Sequence, residues 1–182
     1  MRLLSRLLLA CLALPAACGT ARDGAQIVTP WDIGHPSQSL PAVAAGETRL
    51  VLSDGQVTLC LDGPGHATVD RITPTIRSGS MKVEGFAVVL TRDAAKTTRL
   101  APGPAVIDHA CPRSGRRATA EELATMVYLQ LKVRQLARTS TVADSFVLDY
   151  TSEGRRHSYT LPWELVLCAP EDTTTKLCAS PG

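Results

Sequence analysis

The sequence contains no asparagine among its 182 residues, and only 4% of its residues are aromatic. The first absence excludes N-linked glycosylation, which needs an asparagine acceptor. The second leaves two tryptophans and three tyrosines, too few for a platform of rings that stacks on carbohydrate. The motifs G-x-S-x-G, H-E-x-x-H and G-x-x-x-x-G-K-[ST] are also missing. The sequence therefore gives no support to serine hydrolases, zinc proteases or phosphate-binding loops.

Long apolar runs and excess charge are scarce as well. The only long apolar run is at the extreme N-terminus, which excludes a protein with several membrane spans. The chain has 19 basic and 17 acidic residues, and removing Arg2 and Arg6 with the N-terminal segment leaves 17 of each. A neutral domain has no overall field that attracts nucleic acid. We therefore expect no nucleic-acid partner.

Residues 1–17 have the order of a secretory signal peptide: two arginines, an apolar run over residues 7–17 and small residues at its end. The run is shorter than the about 20 residues that cross a bilayer core. Cys18 follows as in a bacterial lipobox, whose cysteine becomes the acylated first residue. Pro15 stands where leucine is usual, so ordinary cleavage after an alanine is the alternative. We expect an extracytoplasmic protein, lipid-anchored in the membrane at Cys18 or, in the alternative, secreted and soluble.

Residues 18–45 are rich in glycine, proline, serine and threonine, and their apolar residues follow no helical or strand period. After an acylated cysteine, such composition predicts a flexible tether that lifts a domain off the membrane. Trp31 is the one large side chain of this segment, and it either docks on the domain edge or stays exposed for recognition. The predicted organisation is a signal peptide over 1–17, a tether over 18–45 and a domain over 46–182.

The six cysteines divide among these segments. Cys11 lies in the signal peptide, Cys18 is the acylation candidate, and four remain: Cys60, Cys111, Cys168 and Cys178. In an exported chain this even set predicts two disulfides, and none of these cysteines has the C-x-x-C spacing of a zinc site. We favour a Cys168–Cys178 bond that clips the threonine-rich tail, and hence Cys60–Cys111. Another pairing stays open, because Cys60 and Cys168 both alternate with the less apolar faces of their strands.

From residue 46 onward, short alternating apolar runs are separated by turn residues about every 8–12 positions. Seven or eight such strands predict an all-β sandwich. The apolar positions change parity beside Gly85, which predicts a bulge. Thr119 and Glu122 fit a capping box that begins a single helical turn. Residues 127–134 alternate as a strand does, although one helix over 120–137 is the alternative.

Three stretches resemble small exported proteins of actinobacteria: Cys-Leu-Asp-Gly-Pro-Gly at 60–65, Val-Glu-Gly-Phe at 83–86, and the ending at 161–170. Those proteins are short, carry a lipobox and have an immunoglobulin-like domain without an assigned activity. The resemblance spans most of the mature domain. It implies a fold and a location, and it transfers no catalytic residue.

Few residues suggest chemistry. Asp108 and His109 are adjacent, but no nucleophile is placed beside them. A copper site of the cupredoxin type needs a free cysteine, histidines and a methionine, and its candidates here are His35, Cys60, His66 and Met81. We expect no cofactor and no catalysis, but a sandwich that binds or scaffolds an extracytoplasmic protein. An envelope ligand, either glycan or lipid, is the alternative partner, and a cupredoxin-like metal domain is a third interpretation.

Overall fold

The computed structural model of the chain describes residues 24–53, 57–96, 99–100, 103–112 and 119–179. This part of the chain contains eleven strands in two sheets that share one core. The domain is therefore an all-β sandwich, as the alternating pattern predicts. The predicted signal peptide and Cys18 lie outside the described residues.

The first sheet is built around one central strand. Its members are β1 (Ile27–Val28), β3 (Thr48–Leu52), β4 (Thr58–Leu61), β6 (Met81–Leu90) and β8 (Val127–Gln135). β8 pairs antiparallel with β6 on one side and with β3 and then β4 on the other, and β1 pairs with β4. The structure thus confirms a strand, rather than a helix, over residues 127–134.

The second sheet is built around β9. Its members are β2 (Ser37–Leu40), β5 (Ala67–Ser78), β7 (Val106–Ile107), β9 (Thr141–Ser152), β10 (Arg155–Leu161) and β11 (Glu164–Leu167). β5 pairs with one side of β9, and β10 and then β11 pair with the other side. β7 pairs with the start of β5, and β2 pairs with β11 in parallel.

A tight hairpin joins β9 to β10. Glu153 and Gly154 form its two-residue turn, with φ angles of 49° and 74°. Positive φ at both positions is the requirement of a type I′ turn, whose twist matches that of the flanking strands. Pro162 then separates β10 from β11, because proline has no N–H to donate to the ladder.

The core lies between the inner faces of the two sheets. Leu129 and Leu131 of β8 and Phe146 and Leu148 of β9 are fully buried, as the period of two requires. The Trp163 ring packs on Phe146, with 5.2 Å between the ring centroids. Aromatic side chains are scarce in this chain, so this pair provides a large share of its buried ring surface.

Both disulfides are present in the pairing that the sequence favours. Cys60–Cys111 joins β4 to the segment after β7, and Cys168–Cys178 closes the C-terminal tail. The tail packs Leu177 against Val166 on the outer face of the second sheet. Such disulfides form and persist in an oxidising, extracytoplasmic environment.

The flexible tether predicted over 18–45 is not what the structure has over its described part, residues 24–45. β1 pairs in the first sheet and β2 in the second, so the chain crosses between the sheets. Val43 is 1% exposed, and its N–H donates to the Cys168 carbonyl oxygen at 2.7 Å. The apolar residues of this segment follow no local period, because their burial depends on distant partner strands. The described sandwich therefore begins by residue 24, not 46.

Other local predictions are confirmed. The register of β6 against β8 shifts between Val83 and Gly85, which is the predicted bulge. The Thr119–Glu122 capping box begins α1 (Ala120–Thr125). The described strands outnumber the predicted seven or eight because β1, β2 and β7 are only two to four residues long. None of the helices in the described ranges is both long enough and apolar enough to cross a membrane.

Candidate binding surface

The two sheets differ in how their outer faces are covered. On the first sheet, a 3-10 helix (Thr91–Lys96) lies against β6 and β8, and α1 lies against that helix. Residues 99–100 also cross this side, where Gln130 Nε2 donates to the Arg99 carbonyl oxygen at 3.1 Å. On the second sheet, the tail covers the end near Val142 and Val166. No other part of the described residues covers the outer face of this sheet, and many of its side chains are exposed.

This open surface, which we call the β5–β9–β10 face, carries polar side chains from three neighbouring strands. Strand register places them in three rows: Thr68–Thr151–Arg156, Arg71–Asp149–Ser158 and Thr73–Val147–Thr160. Rows on one face of a sheet are separated by two residues, or about 6.6 Å, and strands by about 4.8 Å. Eight of these nine side chains carry a hydroxyl or a charge.

An ion pair fixes the middle row. Arg71 donates from Nε and Nη2 to Asp149 Oδ2, at 2.9 and 2.7 Å. The Arg71 hydrogen bond, with a further one from Ser158, holds the pKa of Asp149 below its usual value, although partial burial opposes it. Asp149 therefore stays a carboxylate, and its charge is matched within the row.

A depression of about 500 Å³ lies at one end of the face, bordered by Asp70, Arg71, Asp149, Thr151 and Arg156. The register shift between Val69 and Arg71 displaces Asp70 from the regular alternation of β5. Asp70 Oδ2 accepts a hydrogen bond from the Thr151 hydroxyl at 2.7 Å. Arg156 has no ion pair within the described residues, so its guanidinium is available to an external anion.

Tyr150 and His157 also line this depression. The Tyr150 and His157 rings stack with 5.3 Å between their centroids. The Tyr150 hydroxyl accepts the Ile27 N–H at 3.2 Å, which ties β1 to β9 beneath the face. Burial raises the pKa of Tyr150, so this hydroxyl stays protonated at neutral pH. His157 Nε2 is buried and has no hydrogen-bond partner within the described residues.

A second depression, of about 350 Å³, lies further along the same sheet. Arg77 bridges two carboxylates there, Asp144 at 3.2 Å and Glu164 at 2.5 Å. The Ser37 hydroxyl donates to the other Glu164 oxygen at 3.0 Å. Because β2, β11, β9 and β5 each contribute one of these side chains, the cluster holds the four strands in register.

The structure contradicts the copper-site interpretation, because its candidate cysteine forms a disulfide. Cys60 is bonded to Cys111 and fully buried, so it offers no thiolate. Met81 is 6% exposed and packs in the core. Within the described ranges, no group of three histidine, cysteine or acidic side chains converges on one point.

Asp108 and His109 do contact each other. His109 Nδ1 lies 2.5 Å from Asp108 Oδ1, and both side chains are partly exposed beside the Cys60–Cys111 bond. In the part of the chain that is described, no hydrogen bond joins the pair to a serine, threonine or cysteine side chain. Among the described residues, the pair therefore has no hydrogen-bonded nucleophile that it could activate.

Comparisons with known protein families and with curated proteins give no match. The surface therefore has to be interpreted from its own geometry. The sequence points to no residue of the β5–β9–β10 face, because its side chains form no motif. Alternation marks the outer positions of β9 and β10 as polar, yet only the strand order reveals that Arg71 meets Asp149. Trp31, whose place the sequence leaves open, keeps 42% of its surface exposed.

Proposed function

We propose that this protein is a non-catalytic, extracytoplasmic lipoprotein that binds or scaffolds a partner protein through the β5–β9–β10 face. The open, ordered polar surface of the second sheet is the observation that supports this most. The inner side chains of the same strands pack in the core, which holds the face rigid. Binding of a partner therefore costs little further conformational entropy. Binding residues held by a rigid scaffold are a common arrangement in β-sandwiches.

The character of the face favours a protein partner over a small envelope ligand. Small-ligand pockets of about 300–1,000 Å³ are mostly apolar, with a few polar groups. The 500 Å³ depression has a similar volume, but four of the seven residues that line it are charged. They are Asp70, Arg71, Asp149 and Arg156, and the other three are Tyr150, Thr151 and His157. Matched charges across a broad face are typical of the polar parts of protein–protein interfaces. A glycan or lipid ligand remains the second candidate.

The location of the protein completes the proposal. Two disulfides agree with an oxidising compartment, and Cys18 in its lipobox-like context would attach the chain to the membrane by acylation. Cys18→Ser should then leave the membrane fraction or remain uncleaved, because the acyl groups supply the membrane affinity. Intact-mass analysis that finds an unmodified N-terminus after Cys18 in the wild-type chain contradicts acylation.

Site-specific photo-crosslinking in the native cell tests the binding surface. A photoreactive amino acid is placed at Thr73 or Thr160 on the face, and at Lys82 or Glu121 as exposed control positions on other elements. We expect both face positions to crosslink one and the same protein, and the controls to crosslink it much less. Equal crosslinking from all four positions, or none from the face, contradicts the proposal.

The non-catalytic part of the proposal has its own test. Asp108→Ala and His109→Ala should leave cellular function intact, because neither residue lies on the β5–β9–β10 face. Loss of function in either variant, with the fold and membrane attachment retained, would favour an enzyme instead.

A further inference from the structure

We infer that the open edge of β10 binds an extended, acidic segment of the partner protein as an added strand. This inference rests on the proposed function, because it names how the partner engages the second sheet. Strand addition uses main-chain hydrogen bonds for affinity and alternate side chains for specificity.

The molecule already accepts a strand on this edge. β10 and β11 form one interrupted return strand beside β9, and β2 pairs with the outer edge of β11 in parallel. β10 has β9 as its only strand neighbour within the described residues. The sheet geometry therefore admits a further strand at this edge, because no described strand pairs with β10 on the side where β2 pairs with β11.

The hairpin turn determines which β10 groups face outward. A two-residue turn makes Ser152 and Arg155 a hydrogen-bonded pair, and pairs alternate along an antiparallel ladder. The backbone N–H and C=O groups of Arg156, Ser158 and Thr160 therefore point away from β9. Nothing in the described part of the chain bonds to them. Three residues thus present a regular row of donors and acceptors.

Among the described strands of at least seven residues that have an open edge, only β10 has an edge without a proline or a bulge. β5 contains Pro74 and three register shifts, and β6 contains the bulge between Val83 and Gly85. Prolines and bulges are the usual devices that prevent strands from pairing with other chains. β10 pairs with β9 in unbroken register over its seven residues and contains no proline. An added strand could extend about 23 Å along it, at about 3.3 Å per residue.

The positive charge of β10 favours an acidic segment as the added strand. β10 begins with Arg155 and Arg156 and contains no acidic residue. A second copy of this chain would bring the same cations to the edge, which opposes pairing. An acidic segment instead supplies the carboxylates that Arg156 lacks, and charge pairs between neighbouring strands stabilise a sheet.

The test measures binding of two synthetic peptides to the full chain. One is a blocked seven-residue peptide of alternating valine and glutamate, and the other has lysine in place of glutamate. We expect the glutamate peptide to bind at least tenfold more tightly, and its affinity to fall as salt rises. Amide NMR shifts should change along β10 and less at the edges of β5 and β6.

Ser158→Pro removes one outward N–H without removing a bond to β9, and edge strands tolerate proline there. Ser158→Ala is its matched control, because both variants lose the hydroxyl. We expect about tenfold weaker binding of the glutamate peptide for Ser158→Pro and less than threefold for Ser158→Ala. Arg156→Glu, a change at an exposed side chain, should invert the preference toward the lysine peptide.

Equal binding of the two peptides, no binding, or unchanged binding by Ser158→Pro overturns the inference. Concentration-dependent dimers in sedimentation that Ser158→Pro abolishes overturn it in favour of a second copy. Crosslinking at Thr73 that persists in Ser158→Pro would leave the proposed function standing while the edge inference fails. If the glutamate peptide binds as expected but neither face position crosslinks a protein, the proposed function is contradicted while strand binding at the β10 edge stands.

Discussion

Removing the two disulfides one at a time should destabilise the domain by different amounts. Cys60 and Cys111 are separated by 51 positions, and Cys168 and Cys178 by 10. A disulfide acts mainly by restricting the unfolded chain, and this restriction grows with the logarithm of the loop length. The perturbations are the double variants Cys60→Ala/Cys111→Ala and Cys168→Ala/Cys178→Ala.

The magnitudes follow from the loop lengths. The chain-entropy relation gives about 4.1 kcal/mol for the longer loop and about 2.7 kcal/mol for the shorter one at 25 °C. The difference of about 1.4 kcal/mol depends only on the ratio of the two lengths. Against a typical total of about 5–15 kcal/mol, loss of the longer link consumes a large part of the stability. Local release of the tail would lower the cost of losing Cys168–Cys178 still further.

Urea unfolding of both double variants and the wild type measures these values. With a slope of about 2 kcal/mol per molar, the midpoint should fall by about 2 M without Cys60–Cys111 and by about 1.3 M or less without Cys168–Cys178. The wild type treated with reductant during unfolding serves as a control. A larger loss from the Cys168–Cys178 variant would refute the reasoning, because its loop is the shorter one.

Two further predictions concern buried hydrogen bonds and pH. The Ser53 hydroxyl donates to the Val57 carbonyl oxygen and accepts the Leu129 N–H, so Ser53→Ala should cost about 1–3 kcal/mol in urea unfolding, and no loss would contradict this. Hydrogen bonds from the Ser140 hydroxyl, and then from two threonines, hold the pKa of Asp172 far below its usual value. Its contribution to stability is therefore present above about pH 4 and lost as pH falls toward the folded pKa. Asp172→Asn should flatten acid unfolding over this range, and an unchanged pH profile would count against it.

The sequence predicts those features that depend on neighbouring residues. Period-two alternation predicts β8, the parity change at Gly85 predicts its bulge, and the Thr119–Glu122 spacing predicts the cap. The sequence favours one disulfide pairing without excluding another, and the structure confirms the favoured one. The sequence does not predict the candidate surface. Arg71 and Asp149 are 78 positions apart, and only the order of strands in the sheet brings them together.

Because the described sandwich begins by residue 24, the link between the proposed anchor at Cys18 and the folded domain is much shorter than the predicted tether. Seven positions separate Cys18 from Ala25, and a chain of that length spans at most about 25 Å when fully extended. Ala25 lies beside Gly65, whose own neighbour is the Glu153 carboxylate at the β9–β10 turn. If Cys18 is acylated, Ala25 and the β9–β10 turn beside it therefore lie within about 25 Å of the acylated cysteine. Under the proposed function, we expect a partner bound at this end of the β5–β9–β10 face to lie within reach of the membrane surface.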